Sequence, residues 1–165
     1  MALQEKKTSL QLIAGVKTDG TPVMESIDVY ELDEALHYEM VRSPMFVRNL
    51  AAGDIFKLSD QDGHTFSIIK RSGNLVVRVF AKSQVDMLDQ VLTPQLEKLG
   101  GKLDSSSDRA LVYSIHVNVG FSEIEKILDS IMSRFTDSVW YYGNVYDPKD
   151  GVTPLNWWDE FINQV

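Results

Sequence analysis

The chain has 165 residues, no cysteine, and a formal charge of −8 from 24 acidic and 16 basic side chains. That length suits one domain or two small subdomains on a shared core, and the missing cysteines exclude disulfides, thiolate metal sites and cysteine nucleophiles. So acidic a surface repels phosphate backbones and attracts basic proteins, although plain solubility would select the same charge.

Residues 1–8 read as a leader; Met1 to Lys7 is charged and lacks the apolar core of a signal peptide. No apolar run approaches the roughly 20 residues of a membrane span, and a cytoplasmic location is expected. Residues 9–73 then alternate strands and turns at the spacing of a small β-barrel or rolled sheet. Leu10, Leu12 and Ala14 open a strand, Asp19-Gly20 turns it, and a return strand runs from Val23 to Leu32. Further strands are predicted over Leu36–Arg42, Asp54–Leu58 and His64–Arg71. Ser43-Pro44-Met45-Phe46 leads into the second of these, with Pro44 and Phe46 expected as entry and core residues and Gly53-Asp54 as a turn.

Residues 74–147 change rhythm to β-α-β-β-α-β, the order of a ferredoxin-like unit. Leu75–Ala81 is β-branched, and Leu88, Val91, Leu92, Leu96 and Leu99 follow at helical spacing. Ser83 and Asp86 suggest the helix cap, Pro94 a kink or restart with Thr93 capping it, and Gly100-Gly101 the stop. A short strand over Lys102–Ser105 and a longer one over Ala110–Val119 follow. Ser122 and Glu125 form a capping-box pattern ahead of Ile124, Ile127, Leu128, Ile131, Met132 and Phe135. The last strand is predicted over Ser138–Tyr146. Residues 148–165 form a tail in which Asn156 caps a short helix carrying Trp157, Trp158, Phe161, Ile162 and Val165. The fold class is therefore α+β: a small barrel or rolled sheet, a ferredoxin-like unit, and a short C-terminal helix.

Two stretches are candidates for binding. Glu25, Asp28, Glu31, Asp33, Glu34 and Glu39 follow one another with no Lys or Arg between Glu25 and Glu39. This run is either a solvated sheet edge or a docking patch for a basic surface. Trp157 and Trp158 would join it if the tail faces outward. A third candidate is the outward face of the second sheet. Strand alternation places Val76, Arg78 and Phe80 there with His116 and, from the last strand, Trp140, Tyr142, Asn144 and Tyr146. Arg78, His116 and Tyr142 would be its ligand-facing residues, unless the barrel or the tail covers them.

Catalytic signals are sparse. His37, His64 and His116 have no metal-ligand spacing, so neither metal nor cofactor is expected. The sequence shows no nucleophile–base–orienter set and no phosphate-binding glycine loop.

Tyr38, Ser43-Pro44-Met45-Phe46 and Leu50-Ala51-Ala52-Gly53-Asp54 give a further indication. With Phe66, Ser72-Gly73 and the βα unit ending at Leu99-Gly100, this run from Glu25 to Tyr142 resembles the bacterial family DUF4265, a domain of unknown function. The resemblance implies a fold and no activity. Acidity, a tryptophan-rich end and missing catalytic signatures together point to a non-enzymatic protein-binding protein, a monomer or homodimer. An immunity-type inhibitor of a basic bacterial toxin domain is its concrete form. A small-ligand or regulatory module using the ferredoxin-like half is the alternative, and an enzyme the third reading.

Overall fold

The computed structural model describes residues 6–162 and contains two antiparallel sheets and three helices. The first sheet has five strands in sequence order: β1 (Lys6–Val16), β2 (Pro22–Glu31), β3 (His37–Met40), β4 (Ile55–Leu58) and β5 (Phe66–Lys70). Alternation sends Leu12, Ile27, Val29, Met40, Phe56 and Leu58 to one buried face. The sheet curls but does not close into a barrel. The turn before β5 touches β1: Ile13 N–H donates to the His64 carbonyl at 3.0 Å, and His64 Nδ1 lies 2.9 Å from the Gln11 carbonyl. β1 begins at Lys6, inside the stretch expected as a leader, because Lys6 to Thr8 pair with Val29 to Glu31; residues 1–5 lie outside the described residues.

The second sheet is built from β6 (Asn74–Ala81), β7 (Lys102–Ser106), β8 (Ala110–His116) and β9 (Ser138–Tyr142), in the order β7-β8-β6-β9. Helices α1 (Val85–Lys98) and α2 (Phe121–Met132) cover one face. Leu88, Leu92 and Leu96 of α1 and Ile124, Leu128 and Ile131 of α2 meet Leu75, Val77, Val79, Tyr113 and Ile115 in the larger core. Both helical stripes were visible as 3.6-residue periodicity.

The helix ends differ from the sequence reading. Gln84, with φ 64°, occupies the α1 N-cap and makes no side-chain cap bond, so Ser83 and Asp86 form no box. Gly120 precedes α2, which starts at Phe121; Ser122 is thus already helical and cannot cap it. α1 also runs through Pro94 without a restart. Thr93 is buried there as a bridge, its Oγ1 2.6 Å from the Tyr113 hydroxyl. The stop is as expected: Gly101 N–H reaches the Leu96 carbonyl and Gly100 N–H that of Glu97, a Schellman pair. β8 ends at His116 in a 3-10 turn (Val117–Val119), and β9 ends at Tyr142. The last helix, α3 (Asp159–Ile162), starts three residues beyond Asn156; Val165 lies outside the described residues. Among the described residues, no helix is long and apolar enough to cross a membrane.

Between the sheets lies residues 43–54, a segment with no regular secondary structure. Val47 and Leu50 fill the curl of the first sheet, whereas Met45 and Ala51 pack on Val76 and Val112 of the second. It is the middle layer of the molecule.

Candidate functional site

A buried irregular segment must find partners for its backbone polar groups outside any ladder. Here ionisable side chains from both sheets supply them. Glu25 of β2 accepts three consecutive amides: Met45 at 2.8 Å, Phe46 at 3.0 Å and Val47 at 2.7 Å. Arg78 of β6 donates from the other side, Nη1 to the Phe46 carbonyl at 3.2 Å and Nη2 to the Val47 carbonyl. Asp104 of β7 takes the Ser43 amide at 2.8 Å. Asp54 takes the amides of Ala51 and Ser72, with Arg71 3.6 Å away. Burial pushes the Asp54 carboxyl above its ordinary value, against the hydrogen bonds that favour its charge.

The clamp on Met45–Val47 turns the Phe46 side chain outward. It is 51% exposed, where the sequence placed it in the core, because Pro44 and Val47 take the inward positions. Phe46 stacks on Phe80 at 6.0 Å and 25°, and Phe80 stacks on Tyr141 at 5.7 Å and 18°. Tyr141 is 44% exposed, and Val139 beside it is exposed too. This three-ring row marks where the outer face of the second sheet runs out from under the middle layer. On its other flank, a groove of about 450 Å³ joins Phe46 and Met45 to Met24, Asp28 and Arg42.

Tyr141 is in this row because β9 is paired one residue out of the predicted phase. Arg78 faces Tyr141 across the ladder, while Val77 faces Tyr142. Tyr142 and Trp140 therefore point to the helices, where the Tyr142 hydroxyl donates to Glu125 at 3.2 Å. Burial holds that hydroxyl far above its ordinary range. Arg78, His116 and Tyr142 consequently do not form one face. His116 sits at the end of β8, its Nδ1 accepting the Asn118 amide at 3.1 Å and its ring edge-on to Phe161. Gly73 has φ +97°, and a side chain there would run into that ring.

The tail does not present its tryptophans. Trp158 is 9% exposed and joins the main core against Phe121; Trp157 donates Nε1 to the Asn144 carbonyl at 2.8 Å under the Arg71 guanidinium. Enough apolar surface lies there for the tail to bury Trp158 and half-bury Trp157 in its own chain. In the acidic run, Glu25 is spent on the clamp, Glu31 pairs with Lys6 at 3.6 Å, and Asp28 with Arg42 at 3.3 Å. Glu34 lies 3.6 Å from His37, and Asp33 is exposed. The fold thus brings cations to a run that has none in sequence, by pairing β2 with β1 and by the turn after β3. Among the described residues, no group of three or more His, Asp or Glu is placed to hold a metal.

The comparisons bear on family and fold. Residues 25–136 match the family model described as a domain of unknown function (DUF4265), and the chain belongs to that family. No curated protein matches the sequence. A solved structure titled "Novel crystal structure of a hypothetical protein from Neisseria gonorrhoeae" is similar at a TM-score of 0.65 and 18% identity, over 87% of this chain and 96% of that one. The likeness supports the two-sheet fold.

Proposed function

We propose that this chain is a non-enzymatic protein that acts by binding another protein, in the manner of an immunity-type inhibitor of a basic bacterial toxin domain. The observation that carries the reading is the row Phe46–Phe80–Tyr141, held out on a segment clamped from both sheets. Rigid, exposed aromatic rings give contact area without a large ordering cost, and such residues dominate interface energetics. The groove beside Phe46 leads to Asp28, and the net charge of −8 favours approach of a basic partner. The acidic run supplies steering in this reading, whereas the aromatic row supplies grip; the tryptophan tail is structural. The site would be used in the bacterial cytoplasm.

The second half fits a ferredoxin-like unit in this proposal. The strand order β7-β8-β6-β9 and the two helices on one face support that assignment. Its outer face is where such a unit meets a neighbour, and here the middle layer leaves part of it uncovered.

The test is complex formation with the product of the adjacent reading frame, followed by assay of that product's toxicity. A stable complex that suppresses toxicity is expected. An adjacent product that is harmless and does not bind would overturn the reading.

A further inference from the structure

Arg78 is the largest of the fully buried side chains, 1% exposed; among the described residues no carboxylate lies within ion-pair distance of it, although Tyr141 and Glu25 act on its charge from further off. Two of its nitrogens donate to backbone carbonyls; among the described residues Nε has no hydrogen-bond partner. A buried guanidinium without a direct counter-charge and with a spare donor is costly, and an anion brought beside it relieves both costs. The residue next to that nitrogen is Gly143: a Cβ there would stand 2.8 Å from Nε and 2.9 Å from Cζ, so glycine is what lets the backbone lie this close to the guanidinium.

Arg78 and Gly143 lie in the floor of a cleft of about 410 Å³, which also takes in Arg48, Tyr141, Tyr146 and Asp147. Arg48 is exposed and close enough to Arg78 to raise the local potential, in a protein that is otherwise strongly acidic. Two tyrosine rings provide apolar walls with polar tips. Asp147 sets the opposite charge in the same cleft. A doubly charged phosphate would meet that carboxylate, whereas a ligand carrying one carboxylate and one ammonium is complementary to both ends.

We propose that this cleft binds a small zwitterionic carboxylate of the amino-acid class, its carboxylate directed to Arg48 and Arg78, its ammonium to Asp147, and its side chain lying between Tyr141 and Tyr146. The site is independent of the protein-binding reading, although Tyr141 borders both.

Calorimetric titration of the full chain with L-phenylalanine, 3-phenylpropanoate and inorganic phosphate tests it. Saturable binding of L-phenylalanine is expected, weakened about tenfold or more by Arg48→Gln, an exposed position whose change should leave the ligand-free melting temperature unaltered. Asp147→Asn should erase the preference of L-phenylalanine over 3-phenylpropanoate, which lacks the ammonium. No saturable binding by either organic probe, phosphate binding as tight as L-phenylalanine, or equal binding by the Arg48→Gln variant would each overturn the proposal.

Discussion

Glu25 shows how a residue's role can invert between sequence and fold. In sequence it heads an acidic run; in the structure it organises three amides of the middle layer. Charge-assisted bonds of this kind are worth more than neutral ones, and Glu25→Gln removes the charge while keeping the shape. A loss of about 2 kcal/mol in urea denaturation is expected. Asp54 gives a pH signature of its own. Burial raises its folded-state pKa above the ordinary 3.8, so the folded chain retains a proton that the unfolded chain releases. Stability contributed by this carboxyl therefore falls as pH rises from 3.8 through the raised value, and is constant above it. Denaturation from about pH 3 to about pH 7 should show the difference between wild type and Asp54→Asn shrinking through that window. Neither role was legible beforehand. Turn chemistry explains Gly53-Asp54 locally, but the partners that bury Asp54 come from Ser72 and Arg71, 17 or 18 positions away.

Elements were easier to read than residues. The stripes of α1 and α2, the β-branched run of β6 and the glycine stop at 100–101 all carry strong local periodicity or punctuation, and each lies where that pattern places it. The failures share one cause: local signals that tertiary packing outweighs. Ser122 has the right spacing for a cap, yet the N-cap of α2 is Gly120, two residues earlier. β9 reads Val139, Trp140, Tyr141, Tyr142, with bulky apolar groups on both phases, so alternation does not say which set faces the helices. Phe46 stands in a segment with no period at all, which left composition as its sole guide. Pro94 is the clearest element-level test. It is exposed inside a continuous helix, where it removes a donor and crowds the preceding turn. Pro94→Ala should raise stability by about 1 kcal/mol, read as a higher melting temperature with an unchanged far-ultraviolet spectrum.

At the scale of the molecule, two antiparallel sheets are joined through a layer of irregular chain rather than by direct contact of their faces. Val47 and Leu50 belong to one core, Met45 and Ala51 to the interface with the other sheet. Such a layer is stable because charged side chains from β2, β6, β7 and, through Arg71 on the Asn49 carbonyl, the turn before β6 complete its backbone bonding. The same bonding fixes Phe46 at the surface. Sequence alone could place the strands on either side of this layer, and the family resemblance rested partly on it. It could not show that the layer turns an aromatic ring to solvent, since that depends on Glu25 and Arg78 meeting across it. The tail behaves in the reverse way: Trp158, which looks available in sequence, is buried against Phe121 of α2, and Trp157 is half-buried between Arg71 and Asn144.

The most direct measurement is the affinity of the adjacent-gene product for wild type and for the double variant Phe46→Ala, Tyr141→Ala. Both positions are exposed, so the variant should fold with a melting temperature close to that of wild type. Binding weaker by about 100-fold, with the association still slowed by salt, is the predicted result. Equal affinity of the two proteins for that product would contradict the assignment of this aromatic row as the binding surface.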